Sequence, residues 1–283
     1  MTAQWDTVTI VGVGLIGGSA GLALAKRGAA KKIIGVGRSD SSLAAAKELG
    51  AISEGTTNIR EGVADADFVL VATRVSVIGN QLEEIDACVR PGTPITDAGS
   101  TKQSIVGRWE QRRSSRKGRF VGSHPLAGSH QRGPQAADPT LFEGKLTVLT
   151  PVEFTPKGDI EAISAFWQQI GAQACFLSPS EHDQLLASAS HAPHIVAAAL
   201  ATATPREAHR FTAGGWRDTT RIAAGDPDLW ADILLDNAKA ITAQIEKFTE
   251  VSDQLRHAIE EGDRSTLIKL LTLAKESRDA LGS

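Results

Sequence analysis

The sequence predicts an α/β protein, with a doubly wound, mostly parallel sheet in the N-terminal part and an all-α C-terminal part. Three observations predict it. Short β-branched runs alternate with Ala-rich helical stretches through the first half, a glycine cluster joins the first run to the first helix, and strand patterning stops after Pro179.

Residues 7–11 (TVTIV) read as the first strand and residues 19–25 (SAGLALA) as the helix beyond the glycine cluster. Residues 33–36 (IIGV) give a second strand, and residues 43–49 a second helix closed by Gly50. Residues 68–72 (FVLVA) are wholly apolar, the pattern of a strand covered on both faces. Further strands are expected at residues 94–96, 119–121, 146–149 and 174–177. Past Pro179 the pattern is helical, opening with Ser180 three residues before Asp183 in the manner of a capping box. The expected domains are therefore 1–178 and 179–283. From Trp230 onward, Ile233, Leu234, Ile241, Ile245, Phe248, Leu255 and Ile259 recur at intervals of three, four or seven, one stripe along a helix of about 30 residues. So long a stripe is expected to bury partly against a second copy of the chain, giving a homodimer through the C-terminal helices. The basic cluster at residues 112–117 reads as a solvated loop.

Composition narrows the classes of partner. Thirty Lys and Arg against 33 Asp and Glu leave a formal charge of −3 over 283 residues, which offers no electrostatic footprint for nucleic acid or an anionic membrane. A small molecule is the expected partner. Two cysteines, Cys88 and Cys175, are too few for a disulfide framework and suit a reducing compartment. The first residues lack the pattern of a signal peptide, and no stretch reads as a membrane span, so the expected location is the cytoplasm.

Gly12-Val13-Gly14-Leu15-Ile16-Gly17 is a GxGxxG placed directly after a strand and before a helix. There the first glycine permits the tight turn, the second lets backbone approach a pyrophosphate, and the third brings helix against strand. The helix N-terminus supplies N–H donors and partial positive charge. The fold expected is thus Rossmann-type, and Gly12, Gly14, Leu15, Ile16 and Gly17 are the candidate cofactor-binding residues, with Thr73 after the later apolar strand. An NAD-preferring site usually carries Asp or Glu at the end of the second strand. Here Gly37-Arg38-Ser39 stands instead, and Arg38 with Ser39 could bind a 2′-phosphate by a charged fork and a hydroxyl, so NADP is the preferred cofactor with NAD possible. The alternative is that Arg38 stacks on the adenine and Asp40 takes the ribose.

Four more segments carry the chemistry: Asp97-Ala98-Gly99-Ser100-Thr101-Lys102, Gly122-Ser123-His124-Pro125-Leu126-Ala127-Gly128, Ser190-His191-Ala192-Pro193-His194, and residues 214–223 (GGWRDTTRIA). Together with the glycine loop they closely resemble the prephenate and arogenate dehydrogenase family of tyrosine biosynthesis, in the family's order and from about residue 7 to about residue 250. Leu126 stands where methionine is frequent in the family, and Trp216 where phenylalanine is frequent.

The resemblance implies oxidation of a cyclohexadienyl ring at its hydroxyl carbon with loss of carbon dioxide from the opposite carbon. It makes His124 the acceptor for the 4-hydroxyl, a role suited to an imidazole near neutrality. It makes Ser100 the hydroxyl bridging substrate and nicotinamide, although a serine in a turn also serves as a local hydrogen bonder. Arg221 becomes the bidentate grip on the substrate carboxylate. His191, His194, Ser129, Arg217 and Trp230 become pocket positions, with His182 and Asp218 nearby. Lys102 reads as structural, Arg217 and Asp218 as a possible ion pair, and Trp230 equally as core. His191 and His194 share a helix face, yet no cysteine or carboxylate completes a metal site at a recognisable spacing, so no metal is expected. Pro193 between them is expected to kink or end a helix.

The expected function is prephenate dehydrogenase, making 4-hydroxyphenylpyruvate, with arogenate dehydrogenase as the alternative. A β-hydroxyacid dehydrogenase would use a catalytic Lys and Asn, and Asn237 and Lys239 lie outside that pattern. A non-catalytic NADPH-sensing module gives no reason for Ser100, His124 and Arg221 to occur together.

Overall fold

The computed structural model describes residues 4–129 and 131–282. Its eight strands form one sheet: β1 (Trp5–Val11), β2 (Ala30–Val36), β3 (Glu54–Thr56), β4 (Phe68–Val71), β5 (Pro94–Asp97), β6 (Arg119–Pro125), β7 (Leu146–Thr150) and β8 (Gln173–Phe176). Their order is β3-β2-β1-β4-β5-β6-β7-β8, with every pairing parallel except β6 against β7. The three-residue β3, with two exposed positions and no apolar residue, offered no hydrophobic pattern by which the sequence would reveal it.

Helices α1 (Leu15–Arg27) and α6 (Lys157–Gln169) contribute to one apolar layer. There Phe68 stacks on Phe166, and Trp5 meets Phe166 edge-on, around a centre that also holds Leu24, Phe142 and Trp167. With α2 (Asp40–Glu48) they flank the sheet on that side. The other layer draws on α3 (Ile59–Val63), α4 (Val75–Cys88) and α5 (Gln103–Glu110), through Val63, Ile78, Leu82, Ile85, Val106 and Trp109. A sheet covered on both faces explains why β4 is buried at every position.

After β8 come α7 (Pro179–Leu186), α8 (Ala192–Ala203), α9 (Gly214–Thr220), α10 (Pro227–Asp236), α11 (Ala238–Glu260) and α12 (Arg264–Asp279). Two compact units result, one reaching Asn237 and the other starting at Ala238. The boundary expected at 178/179 falls inside the first unit, as the junction of β8 with α7.

Several local expectations are corrected. The capping box is formed by Ser178 and Glu181, not by Ser180 and Asp183: Ser178 Oγ accepts from Glu181 N, and Glu181 Oε2 accepts from Ser178 N. Pro179 then occupies the first helical turn, where no N–H is needed. The stripe beginning at Trp230 is not one helix. It breaks at Asn237, whose side-chain amide donates inward to the Asp183 carbonyl at 2.8 Å. Pro193 does mark a new segment, as expected: α7 stops at Leu186, the chain widens into a π-helical turn, Ala187–His191, and Pro193 lies in the first turn of α8.

The basic cluster is not wholly solvated either. Arg116 lies 4.5 Å over the Trp109 ring and 3.6 Å from Asp86, and Arg113 lies over Phe154. Finally, Pro179–Ala203 has the length and mean hydropathy, 1.2, of a membrane span, contrary to expectation, yet it holds His182, Asp183, His191 and His194 buried in the protein.

Candidate active site

Strands β1, β4, β5 and β6 are neighbours and run parallel, so the loops at their carboxyl ends share one edge of the sheet. That edge gathers the glycine loop, Thr73, Ser100 and His124. The order reverses at β1, which lies between β2 and β4, and such a switch point opens a crevice for a ligand.

The glycine loop is shaped by contact on one side and open on the other. A Cβ at Gly17 would stand 1.9 Å from the Gly12 carbonyl oxygen, and one at Gly12, whose φ is +97°, would stand 2.5 Å from the Ala72 oxygen. Gly14 caps α1 without any side-chain hydrogen bond, and a Cβ there would meet nothing within 4 Å. The first turn of α1 also lacks an acidic residue. An uncapped helix N-terminus behind an open, side-chain-free position fits a dinucleotide pyrophosphate. Thr73 lies against Gly12 and donates to Gln81 Oε1 at 2.5 Å. Arg38 is exposed just past β2, and Ser39 caps α2, its Oγ 2.8 Å from that of Ser42 and 3.2 Å from that of Ser41.

Beyond β5, Asp97 is fully buried and organises the next loop. It accepts from Gly99 N at 2.8 Å and Ser123 N at 3.0 Å, and it pairs with the Lys102 ammonium, itself fully buried. Lys102 is structural, as the sequence suggested. The loop so pinned carries Ser100, whose hydroxyl makes no hydrogen bond among the described residues. It is therefore not spent on the local turn.

His124 sits near the end of β6, half-buried. Its Nδ1 lies 2.9 Å from Nε2 of His182, whose Nδ1 lies 2.7 Å from Asp183 Oδ1. Asp183 also accepts from the backbone of Lys102 at 2.8 Å and of Gln103 at 2.9 Å, the start of α5. Burial opposes its charge, but the His182 bond and these N–H donors outweigh that and hold its carboxyl below the usual range. Burial, then His182 and Lys102 nearby, hold His124 well below the usual imidazole value, so it is neutral near pH 7.

The π turn delivers His191 to the same side of the helical region, buried, with Nδ1 3.2 Å from Asn237 Nδ2. Burial pushes it down to about 4, against the pull of Asp183. His194 stacks on Trp230 with ring centroids 3.5 Å apart, and its buried Nδ1 has no partner among the described residues. Trp230 is both ring partner and part of the apolar layer on α10.

Other candidates are less closely tied to this group. Arg221 opens a 3-10 turn packed on α8, exposed and without an ion pair among the described residues. Arg217 and Asp218 are exposed on α9 and form no ion pair with each other. Ser129 is exposed and accepts from Gln131 N at 3.1 Å. Sequence reasoning missed Asp183, read as a helix cap, and Asn237, which braces α7 and the π turn together. A His-Asp pair directly after a capping box was the available signal.

The two halves of the chain match two family models: residues 20–176 the "Prephenate dehydrogenase, nucleotide-binding domain" and residues 178–273 the "Prephenate dehydrogenase, dimerization domain". The chain belongs to the prephenate dehydrogenase family. It is an oxidoreductase using NAD or NADP. It is 39% identical to the prephenate dehydrogenase of Bacillus subtilis over 99% of its own length and 77% of that relative. The crystal structure of prephenate dehydrogenase from Aquifex aeolicus, in complex with hydroxyphenyl propionate and NAD+, matches with a TM-score of 0.88 at 32% identity, covering 98% of each chain. The arogenate dehydrogenase of Synechocystis matches with a TM-score of 0.81 at 29% identity, covering 97% of this chain and 99% of that one.

Proposed function

We propose that this chain oxidatively decarboxylates prephenate to 4-hydroxyphenylpyruvate. The observation that carries this reading is the neutral His124, placed on the same sheet edge as an open dinucleotide cradle and turned by its His182 bond so that Nε2 has no partner among the described residues. When bound, the nicotinamide accepts a hydride from the hydroxyl-bearing carbon. His124 Nε2 takes the hydroxyl proton as that C–H bond breaks. The electron pair of the C–carboxylate bond then enters the ring, releasing carbon dioxide, and the proton returns to the phenolic oxygen. Ser100 adds a hydroxyl that holds the substrate alcohol, and Arg221 grips a substrate carboxylate through two parallel N–H bonds. His191, His194, Trp230, Ser129 and Arg217 line the ring's surroundings.

The cradle is formed by Gly12, Gly14, Leu15, Ile16 and Gly17, with Thr73 beside it. NADP is the preferred cofactor: Arg38 has no ion pair among the described residues, and three serine hydroxyls cluster next to it at the start of α2. The chain works as a homodimer in the cytoplasm, a setting that suits its two free thiols. The likeness to an arogenate dehydrogenase supports a second reading, in which the substrate side chain bears an amine. Paired assays with prephenate and arogenate, each with NAD and NADP, test both. Turnover of prephenate with a higher kcat/KM for NADP is expected, and no turnover of prephenate overturns the reading.

A further inference from the structure

His124 has two ring nitrogens, and only one protonation pattern makes it an acceptor towards the crevice. Asp183 is an ionised carboxylate, an acceptor only, so His182 Nδ1 must donate to it. With His182 as a neutral imidazole, its Nε2 keeps a lone pair, and His124 Nδ1 donates to it across 2.9 Å. His124 Nε2 is then left unprotonated. Each link determines the next, and the first is anchored by two backbone N–H donors from Lys102 and Gln103.

We propose that Asp183, acting through His182, is a positioning residue that fixes the tautomer of His124 and keeps Nε2 free to receive the substrate's hydroxyl proton. The inference rests on the reading of His124 given above. As Nε2 gains that proton, positive charge spreads over the His124 and His182 pair towards a carboxylate that never leaves its charged form. No net proton is consumed, since Nε2 returns it to the phenolic oxygen. The same carboxylate caps the helix that follows Ser100, so one side chain sets both the orientation of the acceptor and the end of the serine loop.

The test uses the full chain with 15N-labelled histidine rings, the His124 signals being assigned by their loss in His124→Gln. In the wild type, His124 is expected to show a protonated Nδ1 and a bare Nε2. In Asp183→Asn the amide can donate to His182 Nδ1, which reverses both rings and puts the proton on His124 Nε2. Such a reversal in a hydrogen-bonded triad with a neutral amide costs about 10⁴ in kcat elsewhere. Here a fall of at least about 100-fold in kcat, with the KM for prephenate within about threefold, is expected. A role confined to capping would leave the tautomer unchanged, and an unchanged His124 tautomer in Asp183→Asn overturns the proposal. If that variant fails to fold, His182→Leu removes the link while leaving the Asp183 backbone bonds, and a kcat within about threefold of wild type then overturns it. A wild-type chain that does not oxidise prephenate sinks the functional reading alone, because the ring signals still report the tautomer.

Discussion

Neutral imidazoles packed beside one another make this site sensitive to acid in a defined direction. His191 titrates at about 4 in the fold, and His124 well below the ordinary value, because burial disfavours their charged forms. In the unfolded chain both return to about 6.5, so between those limits the unfolded state holds more protons. Stability is therefore complete above about pH 6.5 and is lost as pH falls towards 4. The His191 share reaches about 3 kcal/mol. Thermal midpoints measured from pH 7.5 down to 5 are expected to fall by several degrees, and a flat profile contradicts the buried-neutral assignment. The groups around this pair, His182, Lys102, Asp183 and Asn237, are already fixed in their hydrogen bonds or ion pairs. At the same scale, His124→Asn removes the acceptor while leaving the cradle untouched. A loss of at least two decades in kcat is expected, with cofactor affinity from fluorescence titration within about twofold. Retained turnover would move the acceptor role elsewhere.

At the scale of elements, the second and third glycines of the loop differ in a way that can be measured. Gly17 is enclosed, its absent Cβ lying 1.9 Å from backbone, whereas Gly14 faces open space at the mouth of α1. Gly14→Ala is therefore expected to leave the thermal midpoint within about 2 °C of wild type and yet weaken dinucleotide binding by a factor of 10 or more, since the new methyl occupies the pyrophosphate's approach. A midpoint drop with unchanged binding would place the ligand elsewhere. The strand-glycine-helix pattern was legible because local sequence alone dictates it, and so were the apolar strands and His124, which sits inside a short contiguous motif. The break at Asn237 was not legible. The periodicity of Ile233, Ile241 and Ile245 continues across it, and only the tertiary bond from Asn237 to the Asp183 carbonyl shows why the helix ends there. The His124–His182–Asp183 chain of hydrogen bonds was hidden for the same reason. His124 and His182 are 58 residues apart, and their pairing depends on how β6 and α7 pack.

For the whole molecule, the unit from Ala238 leaves large apolar side chains bare on both of its helices. Phe248, Val251 and Ile259 on α11 are exposed, and so are Ile268, Leu271 and Leu273 on α12, although α11 has the periodicity of a helix built to bury one face. Water contact over such a stripe costs about 25 cal/mol per Å² relative to burial, which favours pairing with an identical stripe. The match of residues 178–273 to a dimerization domain supports the same conclusion. Light scattering on the purified chain is expected to report twice the 29.8 kDa chain mass. Replacing exposed apolar positions on α11 by charge, as in Val251→Glu with Ile259→Glu, should shift that mass towards a single chain, because a symmetric interface meets each new charge twice and leaves it unpaired. A wild-type mass of one chain would mean that these faces remain in water, and the proposed dimer would then be wrong.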